Sequence, residues 1–302
     1  MPETNPNLNE LDVDGIYHLG YLKTQRGIVN AHGDLVDFSD VKFVLTGGSE
    51  GRIRCAAEMV NRDVYDSKHS LENICHTDRF VMYKTGAVLC VNHGMGMASM
   101  SILLQEILKL LDYAGCIENV TIFRIGTSGG IGVPPGTVVI SDEALDGLLR
   151  PVYTMAICGT EHYFDAKFNG DFIKELVEFC KTRQYEFATT TGATMGTQCF
   201  YEGQARLDGP FCRHSAEQRR EFLERLRTTG VVNIEMEAPA FAAITHRRAV
   251  RAAIVCTTLL DRLLGDQVQH SKAQRAQYEQ RPMRVVVDFI REKLAERTRS
   301  NS

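Results

Sequence analysis

The sequence predicts an α/β fold with a central mixed or parallel β-sheet. Three segments are almost entirely apolar and rich in branched residues: VKFVLTGG at 41–48, NVTIFRIG at 119–126 and RAAIVCTTLL at 251–260. Segments with the apolar spacing of helices alternate with them. Strands that are apolar on both faces are typical of a sheet covered by helices on both sides. Several of these strands run into glycine-rich turns, the position at which α/β sheets bind ligands.

The elements follow one another without a linker or a change in composition, so one domain is the simplest interpretation. We place an N-terminal arm at 1–13 and the domain at 14–298, with residues 1–40 arm-like or irregular. In chain order we predict a strand at 41–48, a helix capped by Ser49, a hairpin at 79–94 turning at Thr85-Gly86, a helix at 97–115, strands at 119–126 and 136–145, a helix near 170–183, a strand near 187–195, a helix near 216–229, a strand and a helix within 231–244, a strand at 251–260 and a last helix beginning near Pro282.

Composition excludes several classes of partner. The 302 residues are 44% apolar and 24% charged, with a net charge of −4, so nothing attracts nucleic acid or an anionic membrane in general. No apolar run reaches the roughly 18 residues of a membrane span. Nine scattered cysteines, an odd number without a CxxC pair, indicate reduced thiols. With no targeting pattern at the start, we expect a cytoplasmic protein.

Two glycine turns carry features of a phosphate site. In TGGSEGR, Gly48 precedes a predicted helix whose N-terminus attracts anions, and Arg52 lies one turn inside. In RIGTSGG, Arg124 ends a strand and Thr127 adds a hydroxyl. A guanidinium can bind two phosphate oxygens while hydroxyls and N–H groups bind the others. Arg79, in HTDRF, is a third candidate cation. The alternative is that the glycines serve only the turns and the arginines are solvated.

A dinucleotide site is a competing hypothesis for one of these turns. GMGMAS, after an apolar strand, imitates the G-x-G-x-x-G pattern with Ser99 at the third glycine. That pattern also requires an acid at the end of the next strand, where this sequence has Arg124. We therefore reject a standard NAD site.

The segment CFYEGQARLDG predicts a site for a pyrimidine ring. Gln204 and Arg206 share one face if the segment is extended. An amide has the donors and the acceptor that match N3–H and a carbonyl of uracil, and a guanidinium donates to the other carbonyl. Phe200 can pack on the ring. The alternative is a polar loop with ordinary surface residues.

Two acids stand where an apolar strand meets an apolar helix, in VVNIEMEAPAFAAI. Buried carboxylates are costly unless something pairs with them. Glu235 and Glu237 share one face of an extended segment, and a carboxylate accepts from two hydroxyls at once. We interpret them as acceptors for the cis-diol of a ribose.

Together these stretches resemble the eukaryotic-type uridine phosphorylases of the nucleoside phosphorylase superfamily. The motifs, in order, are GGSEGR, TDRFVMYK, HGMGMAS, RIGTSGGIGVPPGTVVIS, FYEGQARLDG, NIEMEAPAFAA and LLDRLLGDQ, and they cover about 14–295. The resemblance implies a single-domain three-layer αβα fold around a distorted mixed sheet. It also implies reversible phosphorolysis of uridine, and of deoxyuridine as a further candidate, to uracil and the sugar 1-phosphate. Phosphate is then a co-substrate, and no metal or organic cofactor is needed.

The resemblance assigns a role to each candidate residue. In a homodimer with shared sites, His18 and Arg79 reach the site of the neighbouring subunit. The phosphate group comprises Gly48, Arg52, Arg79, Arg124 and Thr127; the ribose group comprises His18, Thr127, Glu235, Met236 and Glu237; the uracil group comprises Ser128, Gly129, Phe200, Gln204 and Arg206. The catalytic residues are Arg124, Gln204 and Arg206, because they stabilise charge that grows as the glycosidic bond breaks.

Departures from the family pattern keep alternatives open. Asp261 stands where the family has Asn, and purine-acting relatives use an Asp near this place to protonate the base. Glu50 puts an acid near the proposed phosphate loop, where proline is common. The alternatives are a broader or purine-acting phosphorylase and a catalytically silent nucleoside-binding paralogue. A nucleoside hydrolase has no need of three arginines for phosphate.

Overall fold

The computed structural model describes residues 2–11 and 13–300. Its strands are β1 (Asp14–Ile16), β2 (Tyr21–Thr24), β3 (Gly27–Val29), β4 (Phe43–Gly47), β5 (Met82–Thr85), β6 (Val88–Asn92), β7 (Thr121–Gly130), β8 (Val138–Leu145), β9 (Val152–Ile157), β10 (Thr160–Asp165), β11 (Thr189–Gly196), β12 (Val231–Glu235) and β13 (Arg251–Asp261). Its α-helices are α1 (Glu50–Asp63), α2 (Gly96–Tyr113), α3 (Gly170–Thr182), α4 (Ala216–Thr228), α5 (Ala238–Arg247) and α6 (Lys272–Ser300). Short 3-10 helices cover Pro6–Glu10, Ile117–Asn119 and Glu202–Gln204.

The chain forms two compact units. The first comprises Met1–Phe123, Ile244–Arg251 and Val287–Ser302. It contains the small antiparallel sheet β1-β2-β3 and a set of three strands in which β6 pairs in parallel with β4 and antiparallel with β5. Helix α1 begins directly after β4, and the N-cap Ser49 accepts a hydrogen bond from the Arg52 N–H. Gly48 therefore lies between β4 and the N-terminus of α1.

The second unit comprises Arg124–Ala243 and Ala252–Val286. Its strands follow the order β12-β11-β8-β13-β7, and β12 also pairs with β7, so this part of the sheet closes on itself. Parallel pairs (β8–β11 and β11–β12) and antiparallel pairs (β8–β13 and β7–β12) make it mixed. The register of β11 shifts near Ala193 against both neighbours. The mixed, distorted sheet predicted from the sequence is thus confirmed.

Most predicted elements are present, and the start of the last helix is the clearest error. Helix α6 begins at Lys272, ten residues before Pro282, with Ser271 as its cap. Proline inside a helix removes one hydrogen bond and crowds the preceding turn. The buried face that follows, which includes Met283 and Val286, offsets that cost by burying apolar surface. The cap at Ser271 was the overlooked signal.

Two further parts of the chain differ from the prediction. Residues 14–29 form β1, β2 and β3 rather than an irregular segment, in strands of only three or four residues that give little periodic signal. The hairpin β9–β10 was not predicted; its turn uses Cys158 and Gly159, both at positive φ. Met1 and Asp12 of the predicted arm lie outside the described residues. The boundaries of the arm and of a single domain stay predictions.

Candidate active site

The two acids of the strand-to-helix junction pair with Arg124. Nη2 of Arg124 lies 2.8 Å from Oε2 of Glu235 and also donates to Oε2 of Glu237. All three side chains are almost fully buried, with 4%, 2% and 5% of their surface exposed. On the other side of the guanidinium, Nη1 donates to Sγ of Cys256 at 3.1 Å. These four residues are called the Arg124 cluster below.

The local chain geometry explains why these groups meet. Strand β7 carries Arg124 and pairs antiparallel with β12, which ends at Glu235. The carboxylate of Glu235 then accepts backbone N–H groups of Glu237 (2.9 Å) and Ala238 (2.7 Å), at the start of α5. A β-carbon at Gly196 would lie 2.9 Å from Oε1 of Glu235, so a larger residue at the end of β11 would disturb the carboxylate. The acid is therefore fixed by backbone donors as well as by Arg124.

The Arg124 cluster holds one guanidinium and two carboxylates, which leaves a formal surplus of one negative charge. Burial raises the pKa of Glu235 to about 7; Arg124 opposes this shift and Glu237 reinforces it. Burial alone would lower the pKa of Arg124, but Glu235, Cys256 and Glu237 outweigh it, so the guanidinium stays charged. Burial raises the pKa of the Cys256 thiol to about 11. Nε of Arg124 is buried without a hydrogen-bond partner in the described part of the chain.

A second buried cluster surrounds Gln204, the last residue of the 3-10 turn Glu202–Gln204. Arg262 is the most buried cation there, with 1% of its side chain exposed. Its Nη2 donates to the backbone oxygen of Gln204 at 2.7 Å, and its Nη1 lies 3.4 Å from Oε1 of the Gln204 amide. Arg262 therefore directs the amide oxygen toward itself, which leaves the amide N–H groups as donors for a ligand.

Two aspartates hold three arginines in this second cluster. Oδ1 of Asp266 accepts from Nε of Arg262 and from Nη2 of Arg219, each at 2.8 Å. Arg206 makes a bidentate pair with Asp208, at 2.9 and 2.5 Å, and donates to the backbone oxygen of Asp266 at 3.0 Å. The three-arginine cluster consists of Arg206, Arg219, Arg262, Asp208 and Asp266. It has a formal surplus of one positive charge.

The pKa shifts in the three-arginine cluster run opposite to that of Glu235. Burial would raise the pKa of Asp266, but the bonds from Arg219 and Arg262 lower it below its usual value. The hydrogen bond from Arg206 lowers the pKa of Asp208. Burial lowers the pKa of Arg262, although a guanidinium remains protonated at any physiological pH. The acids here are ionised because cations outnumber them.

The end of β7 lies beside Arg262. A β-carbon at Gly129 would lie 2.8 Å from Cγ of Arg262, so only glycine allows this approach. The preceding hydroxyl, of Ser128, accepts from Nδ2 of Asn233 at 2.9 Å and donates to the backbone oxygen of Thr257 at 3.4 Å. Arg124 and Gly129 both lie on β7, so each cluster of the second unit contacts this strand.

The remaining candidates of the second unit are accessible. Thr127 on β7 and Met236 after β12 are half-buried. Phe200 has 42% of its surface exposed, and the guanidinium of Arg206 lies 4.5 Å from its ring centroid. One face of Phe200 is thus occupied by Arg206. Gln204 and Arg206 are not neighbours on an extended segment as predicted, because Ala205 between them is left-handed at φ 53°.

Four sequence candidates lie in the first unit. Gly48 and half-buried Arg52 are at the N-terminus of α1, and a β-carbon at Gly48 would lie 3.1 Å from the backbone oxygen of Gly94. Arg79 is exposed, and its backbone N–H donates to Oγ1 of Thr77 at 3.3 Å. His18 follows β1, with Nδ1 2.6 Å from Oε1 of Glu106. Sequence reasoning assigned no role to Glu106 or to Arg262, although LLDRLLGDQ contains the latter.

Asp261 does not act as a free acid. Its Oδ1 accepts the backbone N–H groups of Gly132 and Leu263, both at 3.0 Å. The carboxylate ties the turn after β13 to the turn after β7. These bonds give one carboxylate oxygen of Asp261 a structural role.

Among residues 2–11 and 13–300, no group of three or more His, Cys, Asp or Glu side chains is arranged to hold a metal ion. No helix in that part of the chain combines the length and apolar character needed to cross a bilayer.

Comparison with known proteins identifies the class. The model of the phosphorylase superfamily matches residues 42–291, so the chain belongs to that superfamily. The "Uridine and thymidine phosphorylase" of Caenorhabditis elegans is 44% identical over 92% of this chain and 90% of its own length. Human "Uridine phosphorylase 2" is 42% identical over 96% and 90%. A solved structure of the Schistosoma mansoni uridine phosphorylase with thymidine matches with a TM-score of 0.89 and 35% identity, over 97% of this chain and 99% of that one. The resemblance to eukaryotic-type uridine phosphorylases is thereby confirmed.

Proposed function

We propose that this protein catalyses the reversible phosphorolysis of uridine to uracil and ribose 1-phosphate. The observation that carries the proposal is the pair of buried clusters along β7 in a chain of this family. One cluster has a surplus negative charge, which suits hydroxyl donors and a sugar that becomes cationic. The other has a surplus positive charge, which suits a base that leaves as an anion.

The three-arginine cluster and Gln204 are proposed to bind uracil. When the glycosidic bond breaks, negative charge grows on the uracil carbonyl oxygens. The Gln204 amide donors and the nearby guanidinium of Arg206 stabilise that charge in a site already desolvated. Phe200 supplies apolar surface for the ring, and the backbone of Ser128 and Gly129 lies beside Arg262.

The Arg124 cluster is proposed to bind the ribose and one side of the phosphate. Glu237 accepts from the ribose hydroxyls, with Glu235 holding the junction in place and Met236 packing on the sugar. The unpartnered Nε of Arg124 donates to a phosphate oxygen, and the Thr127 hydroxyl adds a further donor. The phosphate attacks the anomeric carbon as nucleophile, so no covalent enzyme intermediate is required.

In the first unit, Gly48 and Arg52 are proposed to bind phosphate. Support comes from their place at a helix N-terminus, where backbone N–H groups and the helix dipole favour an anion. Arg79 and His18 are proposed to act in the site of a neighbouring subunit. The exposed side chains of Tyr17 and Met95, each 75% exposed, support a partner surface in this unit.

The remaining proposals follow from the family. The enzyme acts as a homodimer, uses inorganic phosphate as co-substrate and needs no cofactor. Nine free cysteines, five of them buried, support a reducing compartment such as the cytoplasm. Deoxyuridine and thymidine are proposed as further substrates, because a relative carries thymidine in its name and a solved relative holds thymidine.

An absorbance assay of uridine with and without phosphate tests the function. We expect uracil to form only when phosphate is present, together with one equivalent of ribose 1-phosphate. Gln204→Ala is expected to lower kcat by on the order of a hundredfold, because it removes donors to the leaving base. Gln277→Ala, at an exposed position of α6, is the matched control. Uridine that stays intact at saturating phosphate would refute the proposal.

A further inference from the structure

A buried carboxylate holds His18 in the first unit. Glu106 lies on α2 and accepts three kinds of donor. Its Oε2 accepts the backbone N–H groups of His18 (2.9 Å) and Leu19 (3.0 Å). Its Oε1 shares the His18 N–H at 3.0 Å and lies 2.6 Å from Nδ1 of the His18 ring. Only 10% of the Glu106 side chain is exposed, against 41% of His18. The buried acid thus fixes an accessible imidazole.

This contact sets the tautomer of the neutral ring. A carboxylate can only accept, so the bond to Glu106 requires the proton on Nδ1. The lone pair of the neutral imidazole then lies on Nε2. The edge-on contact with Phe80, with ring centroids 6.4 Å apart, also limits rotation of the ring. His18 is therefore presented as a hydrogen-bond acceptor.

The backbone of His18 is fixed at its carbonyl as well. That oxygen accepts from Oγ1 of Thr77 at 2.5 Å and from Sγ of Cys75 at 3.6 Å. The same Thr77 hydroxyl oxygen accepts the backbone N–H of Arg79. The bonds from the His18 and Leu19 N–H groups to Glu106, together with those to the carbonyl, hold the chain. The bond to Nδ1 is additional, and it acts only on the imidazole.

We infer that Glu106 is a positioning residue of the active site, which fixes His18 in the Nδ1–H tautomer so that Nε2 accepts a hydrogen bond from the primary hydroxyl of the nucleoside sugar. The inference rests on the proposed function, and it adds the residue that decides the direction of this hydrogen bond. A hydroxyl is the only group at that end of a nucleoside sugar that can donate.

Glu106→Gln separates the two tasks of the carboxylate. The amide oxygen, placed where Oε2 lies, still accepts both backbone N–H groups. The NH2 group, placed where Oε1 lies, no longer shares the His18 N–H, which Oε2 still accepts, and it donates to Nδ1. The proton of the neutral ring therefore moves to Nε2. The substitution keeps the size of the side chain and the backbone anchor while it reverses the hydrogen-bonding character of Nε2.

A substrate comparison tests the inference. For uridine, Glu106→Gln is expected to lower kcat/KM by roughly three- to tenfold, the worth of one hydrogen bond. For 5′-deoxyuridine, which lacks the hydroxyl, kcat/KM should change by less than about twofold. In a His18→Ala background the Glu106→Gln effect on uridine should vanish. Gln105→Ala, at the adjacent exposed position of α2, is the control and should affect neither substrate. Equal losses for both substrates would show a merely structural role and overturn the inference.

Nitrogen-15 NMR of the imidazole tests the inference on the wild-type protein. It requires neither turnover nor a substituted variant. The wild-type protein is expected to show the proton on Nδ1 of His18 and a shift of Nε2 when uridine, but not 5′-deoxyuridine, is added with phosphate. A proton on Nε2 in the wild type contradicts the inference. If neither nucleoside reacts, the proposed function fails. The shift of the Nε2 resonance still decides, independently of turnover, whether His18 accepts a hydrogen bond from the hydroxyl.

Discussion

The two buried clusters of the second unit differ in the sign of their surplus charge. The Arg124 cluster sets two carboxylates against one guanidinium, whereas the three-arginine cluster sets two carboxylates against three. Both are desolvated, and both attach to β7. Burial raises the pKa of Glu235 in the first cluster. At Asp266 in the second cluster, the bonds from Arg219 and Arg262 outweigh burial and lower the pKa.

The contrast fits the proposal that the two clusters serve the two fragments of a breaking bond. Charge separates between a sugar that becomes positive and a base that becomes negative. A negative surplus at one end and a positive surplus at the other match that separation, and interactions that strengthen only in the transition state are the ones that accelerate reaction.

The largest effect is expected from removing the cation of the negative cluster. Arg124→Met leaves two carboxylates buried side by side, which costs about 3–5 kcal/mol of unfolding free energy. Activity should fall by on the order of a thousandfold. Phosphate loses the proposed donor Arg124, and the carboxylates proposed to bind ribose lose the guanidinium that pairs with them. Urea unfolding and phosphorolysis assays measure the two losses, with Arg26→Met as an exposed control.

A double variant checks the cause of that instability. Glu235→Gln combined with Arg124→Met removes one of the two uncompensated charges, so it should be more stable than Arg124→Met alone. The stability of the single variant should also improve as the pH falls and the acids protonate. If neither happens, the loss comes from packing and not from the surplus negative charge.

The next effect concerns the positive cluster. Arg262→Lys keeps the charge but cannot bond both Asp266 and Gln204 in the same way, so kcat for uridine should fall by on the order of a hundredfold. The loss should be smaller for 5-fluorouridine, whose base leaves more readily as an anion. Arg281→Lys, which affects a half-buried arginine outside the cluster, is the control. Identical losses for the two nucleosides would mean that Arg262 does not act on leaving-group charge.

A third prediction compares the pH dependence of stability in the two clusters. Glu235 has a raised pKa, about 7 against an ordinary 4.5, so the folded protein binds more protons in that interval. Its contribution is complete below pH 4.5 and is lost as the pH rises to 7, by no more than a few kcal/mol. Asp266 has a lowered pKa, so its contribution is present above 3.8 and is lost at more acid pH.

Denaturant titrations at several values between pH 3 and 8 measure how the free energy of unfolding changes with pH. Glu235→Gln should remove the loss near neutral pH, and Asp266→Asn should remove part of the loss at acid pH. If the free energy of unfolding depends on pH in the same way in both variants, the opposite surplus charges of the clusters are contradicted.

The smallest effect is expected at Asp261. An asparagine oxygen still accepts from Gly132 and Leu263, so Asp261→Asn should change kcat/KM for uridine by less than about twofold. Inosine should stay a non-substrate for both proteins. Phosphorolysis assays with the two nucleosides check this, and Asp261→Ala, which removes both acceptors, should have the larger effect. Inosine turnover that depends on the Asp261 carboxylate would reopen the purine alternative.

Elements set by local signals were predicted well. The hairpin of β5 and β6 follows from two apolar runs around Thr85-Gly86. Helices α3 and α4, predicted near 170–183 and 216–229, begin directly after the N-caps Asn169 and Ser215. The convergence of Glu235 and Glu237 was also predicted, but as a ribose site; their pairing with Arg124 was not.

Contacts between distant residues were the ones missed. Arg262 and Gln204 are 58 residues apart, and Glu106 and His18 are 88 apart. No spacing rule connects such pairs. The turn at Ala205 was missed because a left-handed alanine leaves little mark on a sequence, so Gln204 and Arg206 were placed on an extended segment that does not exist.

The sequence by itself determined the α/β class, most of the helices and strands, and the residue types from which the candidate site is built. It could do so because periodicity, caps and glycine turns act within a few residues. The tertiary structure decided which charges meet. Beyond the pairing of β12 with Gly129 and Gly130 of β7, two buried acids share Arg124. The strength of a charge interaction depends on that burial and on distances that only the folded chain fixes.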